Sequence, residues 1–333
     1  MPTKLKLVQA QQEWLTHLTA SGASVGTFKA YKGTTDALLR VTGDIYALHV
    51  TPQHIDRFFL VHSAWGPSTR NSHLSHIRSF FGFCRARGWM HRDTDPTFGW
   101  RKLKVPKPES PRIPVAEWGK LFAATRHPQE GIVLATGLYL FLRASEQKRI
   151  QLKHIHLDTQ EIEVFRQKTQ DWDLMPISAE LDGHIRAHLS WMSSQWEPHP
   201  DHYLCPSRLA NQSRDERAKF NSPGDTDPTK PINLPYRTVQ RILGRAGYPT
   251  EKQGEHTLRR SGARAYFDSL VAQGFDGALR RVQSMLGHES TESTEVYLGL
   301  DGDRYARNKD LKGQLMFPGA VATNVVPIRR EIG

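Results

Sequence analysis

Apolar positions along the first ninety residues recur at three- and four-residue steps. In LVQAQQEWLTHL, Leu7, Trp14, Leu15 and Leu18 fall near one helical face; downstream of GPSTRN the series Leu74, Ile77, Phe81 and Cys84 does the same, leaving Arg70, Arg78, Arg85 and Arg87 for other faces. Local signals agree with this period. Thr51 precedes Pro52, a cap followed by a residue whose missing N–H is not needed in a first helical turn, and Gly88 stands where the second series stops. The pattern predicts four or five short helices over residues 5–92.

The period then breaks. RKLKVPKPESPRIP, 101–114, holds five basic residues and four prolines with no apolar repeat, which reads as an extended, semi-rigid connector between domains. Beyond it, a helix is expected near 115–125, and GIVLATGLYLFL predicts a buried helix over about 129–142 that delivers Arg143 at its end. HIHL, EIEVF and LMPIS are short runs rich in β-formers, separated by DTQ and RQKTQDWD, and predict a small antiparallel sheet. Residues 207–231 are polar and read as an irregular loop, and helices are expected again at 235–246, 256–273 and 277–286. The expected fold class is mainly α with a small antiparallel β-sheet: a helical domain over 1–100, a linker over 101–114 and a second domain over 115–333 whose tail begins at 298.

Composition narrows the function. A hydrophobic share of 38% suffices for ordinary cores, and the longest apolar run, 131–142, is too short to span a membrane. The first residues lack the apolar block of a secretory signal, and two cysteines suit a reducing compartment, so the expected location is cytoplasmic. Net charge is +11, and residues 1–110 carry 15 basic against 7 acidic side chains, most of the excess. Such a surface attracts polyanions, because phosphate neutralisation dominates sequence-independent binding to nucleic acid.

Four stretches carry candidate chemistry. Arg143 follows the apolar run directly, so its guanidinium needs a partner, and Glu146 three residues on can hold it while leaving donors for an anion. HTLRR puts His256 and Arg259 three apart on one helical face, although a capping histidine and a surface arginine would look the same. LGHESTESTEVYLG sets His288 and Tyr297 between glycines, with hydroxyl residues between them. His199, His202 and Cys205 have tolerable zinc spacing but no evident fourth ligand, and His154 and His156 lack accompanying carboxylates; no metal and no cofactor are assigned.

FLRASE, the EIEVFRQKTQDWDLMPI hairpin, HTLRR and LGHESTESTEVY resemble, in order and approximate spacing, the boxes of the tyrosine recombinase (phage integrase) family over most of 110–300, and residues 5–96 resemble its helical core-binding domain. The resemblance implies a two-domain C-shaped clamp on DNA and a site-specific recombinase. Tyr297 would attack a phosphodiester to leave a 3′-phosphotyrosyl link, conserving bond energy without ATP or metal. It further implies that Arg143 and Arg259 clamp the non-bridging oxygens, His256 assists proton movement at the tyrosine, His288 donates to the phosphate, and Lys168 on the hairpin protonates the leaving 5′-oxygen. Glu146 would support the site. DNA contacts are expected near Thr69, Arg70 and Asn71 and along Lys102 and Lys104. The implied partners are double-stranded DNA at attachment or core sites, a homotetramer on that DNA and a separate directionality factor, with a phage or other mobile element as the object of integration or excision. A catalytically silent DNA-binding regulator of the same fold and a type IB topoisomerase are the alternative readings. Two positions depart from the family pattern: Phe141 stands where many relatives have glycine, and Arg260 where many have histidine.

Overall fold

The computed structural model describes residues 4–105, 111–167, 169–208, 226–251 and 253–300. Lys168, most of the 207–231 stretch and the tail beyond 300 therefore lie outside the described residues. The chain divides into two compact units, Met1–Pro108 and Glu109–Gly333.

The first unit is helical. Helices α1 (Leu7–Ala20), α2 (Val25–Thr42), α3 (Pro52–Val61) and α4 (Pro67–Ala86) enclose one core, to which α1 contributes Leu7, Ala10 and Trp14 and α4 contributes Leu74, Ile77, Phe80, Phe81 and Cys84. The anticipated punctuation is present. Thr51 caps α3, its N–H donating to His54 Nδ1 at 3.2 Å, and Gly88 ends the α4 region with φ +73°. After α4 the chain is clipped back upon it: Asn71 Nδ2 donates to the Leu103 carbonyl at 2.9 Å, and the Leu103 N–H donates to Asn71 Oδ1 at 2.8 Å.

In the second unit α5 (Trp118–Ala123) precedes α6 (Pro128–Tyr139), which is buried on nearly every side and packs against α8 (Ala179–Gln195), α9 (Pro235–Arg245) and α10 (Glu255–Ala272). The sequence expectation ran this helix to about 142 with Arg143 at its end. Instead the helix stops at Tyr139, because Phe141 takes φ +53°, the left-handed region that interrupts α-helical hydrogen bonding. This is the position at which the resemblance to the family leads to an expectation of glycine. A left-handed L-residue costs about 1–2 kcal/mol, while burying a large aromatic side chain is worth roughly 3–5 kcal/mol judged by its truncation. Phe141 is 3% exposed and packs against Tyr266, so burial outweighs the backbone strain.

Arg143 instead precedes the one-turn helix α7 (Ala144–Gln147) as its N-cap. Gln147 pins that turn to α6, donating from Nε2 to the Val133 carbonyl and to Thr136 Oγ1, both at 3.0 Å. The sheet is antiparallel in the order β1 (Ile155–His156), β2 (Glu161–Arg166), β3 (Asp171–Pro176). Strand β3 starts at Asp171, three residues before the apolar run that announced it, since the register Arg166↔Asp171 continues the ladder through polar positions. The 207–231 stretch is not irregular at its ends: β4 (Pro206–Arg208) and β5 (Thr226–Pro231) pair antiparallel. The remaining helices are α11 (Ala278–Leu286) and α12 (Thr291–Leu298), which with α10 surround a small core of Phe141, Ala263, Leu270, Val282, Leu286 and Leu298. No described helix is long and apolar enough to cross a membrane.

Candidate active site

Close packing of α10 on the end of α6 builds the floor of the site. A Cβ on Gly262 would lie 1.9 Å from the Leu138 carbonyl oxygen and 2.8 Å from the Phe141 ring, so only glycine lets the helices approach this closely. One turn earlier on α10, Arg259 thereby meets the α6–α7 connection. It is 1% exposed, and it donates to the Phe141 carbonyl from Nη1 and to the Leu286 carbonyl at 2.6 Å from Nη2. Burial, outweighing the help of nearby anionic groups, pulls its pKa down to about 10, so it remains a cation at neutral pH.

Glu146 is the hub. With no exposed surface, its Oε1 accepts from Arg143 Nη1 at 2.8 Å, and its Oε2 accepts from the Arg143 N–H at 2.8 Å and faces Arg166 Nη1 at 3.4 Å and Arg259 Nη1 at 3.5 Å. Three guanidiniums around one buried carboxylate leave an excess of positive charge, which suits an incoming anion. Arg166 was not anticipated. Its signal was present in EIEVFR, where strand alternation puts residue 166 in line with buried Ile162 and Val164, and a charge on that inward face calls for partners.

Tyr297 lies on α12, a helix the sequence reading did not foresee. Ser290 caps it, accepting from the Ser293 N–H at 3.2 Å, and the glycines that bracket the motif are left-handed helix stops, Gly287 at φ +59° after α11 and Gly299 at φ +68° after α12. The phenol ring stands 5.9 Å from the Arg259 guanidinium carbon and edge-on to His288 with centroids 5.3 Å apart. Its hydroxyl is buried without a hydrogen bond of good geometry. Burial raises the phenol's pKa, opposed by the charges of Arg259, Arg260 and Arg143, so the hydroxyl is protonated at neutral pH.

The two histidines differ. His288 is held through its backbone by Gln283, and its Nδ1 is 3.1 Å from Thr294 Oγ1. That hydroxyl also donates to the Ser290 carbonyl at 3.3 Å, which leaves it able to accept from Nδ1–H. His256, on the first turn of α10, is exposed as a residue, yet partial enclosure of its ring and then the charges of Arg259, Arg260 and Arg143 lower its pKa. It is neutral at pH 7 and able to accept a proton.

The structure thus brings Arg143, Glu146, Arg259, His256, His288 and Tyr297 into one neighbourhood, and Lys168 falls outside the described residues. Beside Arg143 an open groove of about 590 Å³ is lined by Ser145, Lys148, Arg149, Lys153 and Trp172, among others. Of the expected DNA contacts in the first unit, Thr69, Lys102 and Lys104 are exposed. Asn71 instead has both ends of its amide engaged with Leu103, and Arg70 lies 5.3 Å over the Phe59 ring. Of the residues weighed as zinc ligands, Cys205 is buried in the core with its thiol pushed up to about 12, while His199 pairs with Asp201 at the surface.

Comparison with known proteins agrees with this fold. The model of the phage integrase family matches residues 130–303. The chain is 26% identical to tyrosine recombinase XerC of Erythrobacter litoralis over 90% of both chains, and 27% identical to tyrosine recombinase XerC of Salmonella typhi over 83% of this chain and 85% of that one. Its fold is similar to a lambda integrase dimer bound to a COC′ core site, with a TM-score of 0.66 at 15% identity over 89% of this chain and 78% of the other. It is also similar to the XerH site-specific recombinase in a post-cleavage complex with palindromic difH substrate, with a TM-score of 0.62 at 14% identity over 89% and 82%. With more than half of the chain inside the family model and a buried arginine cluster beside its tyrosine, this protein belongs to the phage integrase family, the tyrosine recombinases.

Proposed function

We propose that this chain cleaves and rejoins double-stranded DNA at a defined site through Tyr297, in the service of integrating or excising a phage or other mobile element. The observation that carries the reading is the convergence of Arg143 and Arg259 on Glu146 beside the Tyr297 ring, a positively charged pocket next to a buried, protonated phenol. The Tyr297 oxygen attacks the phosphorus, its proton passing to neutral His256 or to solvent, and the bond from phosphorus to the 5′-oxygen breaks with its electron pair leaving on that oxygen. Lys168 supplies the proton that makes the alkoxide a 5′-hydroxyl. Arg143 and Arg259 bear the charge of the pentacoordinate state, and His288 donates a hydrogen bond to the phosphate. The reverse attack by a 5′-hydroxyl releases Tyr297 and seals the strand, so the bond energy is kept throughout.

Relatives whose structures hold a dimer on a core site and a tetramer on a Holliday junction support DNA as the partner and assembly into a tetramer on it. The test uses a pool of randomised duplexes, each nicked so that the short 5′-hydroxyl fragment diffuses away after cleavage. Wild type is expected to accumulate an SDS-stable adduct and Tyr297→Phe none, with equal folding of the two. Absence of adduct from wild type across the pool points to a DNA-binding protein without chemistry, and relaxation of plasmids lacking the captured sequence points to a topoisomerase. Sequencing the DNA held on Tyr297 distinguishes a mobile-element attachment site from a chromosomal one.

A further inference from the structure

Arg166 has no role in the mechanism above, yet it is 5% exposed and makes more contacts than a strand arginine needs for neutralisation. Asp173, diagonal to it on β3, already supplies a carboxylate, with Nε 2.9 Å from Oδ2. The same guanidinium reaches two other elements: Nη1 faces Glu146 Oε2 on α7 at 3.4 Å, and Nη2 donates to the Met285 carbonyl on α11 at 2.8 Å. Met285 lies three residues before His288, and the intervening Gly287 packs its backbone near the Arg166 side chain, where an added Cβ would stand 3.7 Å from Cδ. One planar fork therefore joins the hairpin strand, the carboxylate shared by Arg143 and Arg259, and the turn that carries His288. Lysine, a point charge with one nitrogen, cannot span these three directions.

Charge counting gives the fork a second effect. Arg143, Arg166 and Arg259 face Glu146, and Asp173 faces Arg166, an excess of one positive charge; without Arg166 that excess is gone, and Glu146 competes with a phosphate for the two remaining guanidiniums.

We propose that Arg166 is a positioning residue for strand cleavage: it holds Glu146 and the Gly287–His288 turn together so that Arg143, Arg259 and His288 meet the scissile phosphate in one geometry. It does not itself touch the phosphate. The inference rests on the recombinase reading above, and wild-type adduct formation is scored first so that the two can fail separately.

The test measures the single-turnover rate of adduct formation for full-length wild type, Arg166→Met and Arg166→Lys on the duplex captured by wild type, with DNA affinity and thermal unfolding measured alongside. Each protein is also given the same duplex with a methylphosphonate at the scissile position, which removes the phosphate's negative charge and with it much of the work of the guanidiniums. Arg166→Met is expected to slow cleavage of the ordinary phosphodiester by about 10- to 100-fold, the range for groups that orient a contacting residue. Its affinity should stay within about threefold of wild type, and the defect should shrink severalfold on the neutral linkage. Arg166→Lys should lie between the two proteins, and it carries the comparison if Arg166→Met does not fold. An unchanged rate on the phosphodiester overturns the proposal, and so does a loss of equal size on both linkages, which marks a fold defect. Absence of any wild-type adduct overturns the recombinase reading and this inference with it.

Discussion

Tyr297 and His256 illustrate how burial and charge divide labour between two titrating groups. The phenol's pKa is raised chiefly by burial, so attack requires a group that takes its proton; His256, whose pKa is lowered by partial enclosure and three neighbouring arginines, is neutral over a wider range than an ordinary histidine. The sign follows directly. A lowered pKa keeps the basic form present further into acid, so single-turnover cleavage should hold its plateau below the usual histidine value of 6.5 before falling. In His256→Asn that acid limb should vanish and the plateau drop by about 100-fold, at the low end for loss of a general base. A pH–rate profile in which the variant keeps the same limb assigns the titration to another group, His288 being the next to examine. At this scale the sequence exposed most of the site: Arg143, Glu146, His256, Arg259, His288 and Tyr297 are all recognisable from their boxes. Arg166 was not, because its importance lies in three partners drawn from separate elements, of which only its place in the strand alternation is visible locally.

Among elements, the contact that matters most is α6 against α10. Gly137 and Gly262 face each other's helices, with a Cβ at Gly137 meeting Leu258 at 3.0 Å and one at Gly262 meeting the Leu138 carbonyl at 1.9 Å. The latter neighbour is backbone and cannot swing aside. Gly262→Ala should therefore push α10 outward, costing about 3 kcal/mol, the upper end for overpacking, and lowering the melting temperature by roughly 6–12 °C for a unit of this size. Calorimetry with adduct formation in parallel tests this, and an alanine variant that melts and cleaves like wild type would show that the helices need no such approach. Helix periods and stop signals predicted α6, α9, α10 and α11 nearly residue by residue, but the end of α6 and the whole of α12 escaped. Phe141 is a poor candidate for a left-handed turn on propensity alone and takes it because its ring is buried. TESTEVYL offers only Val296 and Leu298 besides the tyrosine as apolar positions, too few to show a period, and the helix is secured by its Ser290 cap and by Leu298 and Thr294 packing inward.

On the scale of the whole molecule the governing quantity is charge. Of the net +11, the portion in residues 1–110 includes Lys102 and Lys104, which extend exposed from the segment that Asn71 clips to α4. A stretch so anchored presents its lysines at fixed spacing, as a phosphate backbone requires, whereas a free tether would lose conformational entropy on binding. Replacing both by alanine should weaken DNA binding and make the slope of log K against log salt shallower by about 2, close to one counterion per contact. Filter-binding titrations at several salt concentrations measure that slope, and an unaltered value would place the two lysines away from the phosphates. Asn71, near which DNA contacts are expected from sequence, anchors this segment.

The sequence by itself determined the helical periods, the caps and stops, the basic front third and the identity of most side chains that the fold gathers around Tyr297, because these depend on residue type and on spacings of a few positions. Only the tertiary structure decided that Glu146 is shared by three arginines, that Gly262 admits α10 to the carbonyls ending α6, and that the Tyr297 hydroxyl is buried beside Arg259. Those contacts bring residues from distant parts of the chain, Leu138 and Gly262 among them, within a few ångströms, and burial, which sets both the pKa shifts and the need for partners, exists only once the chain has closed around them.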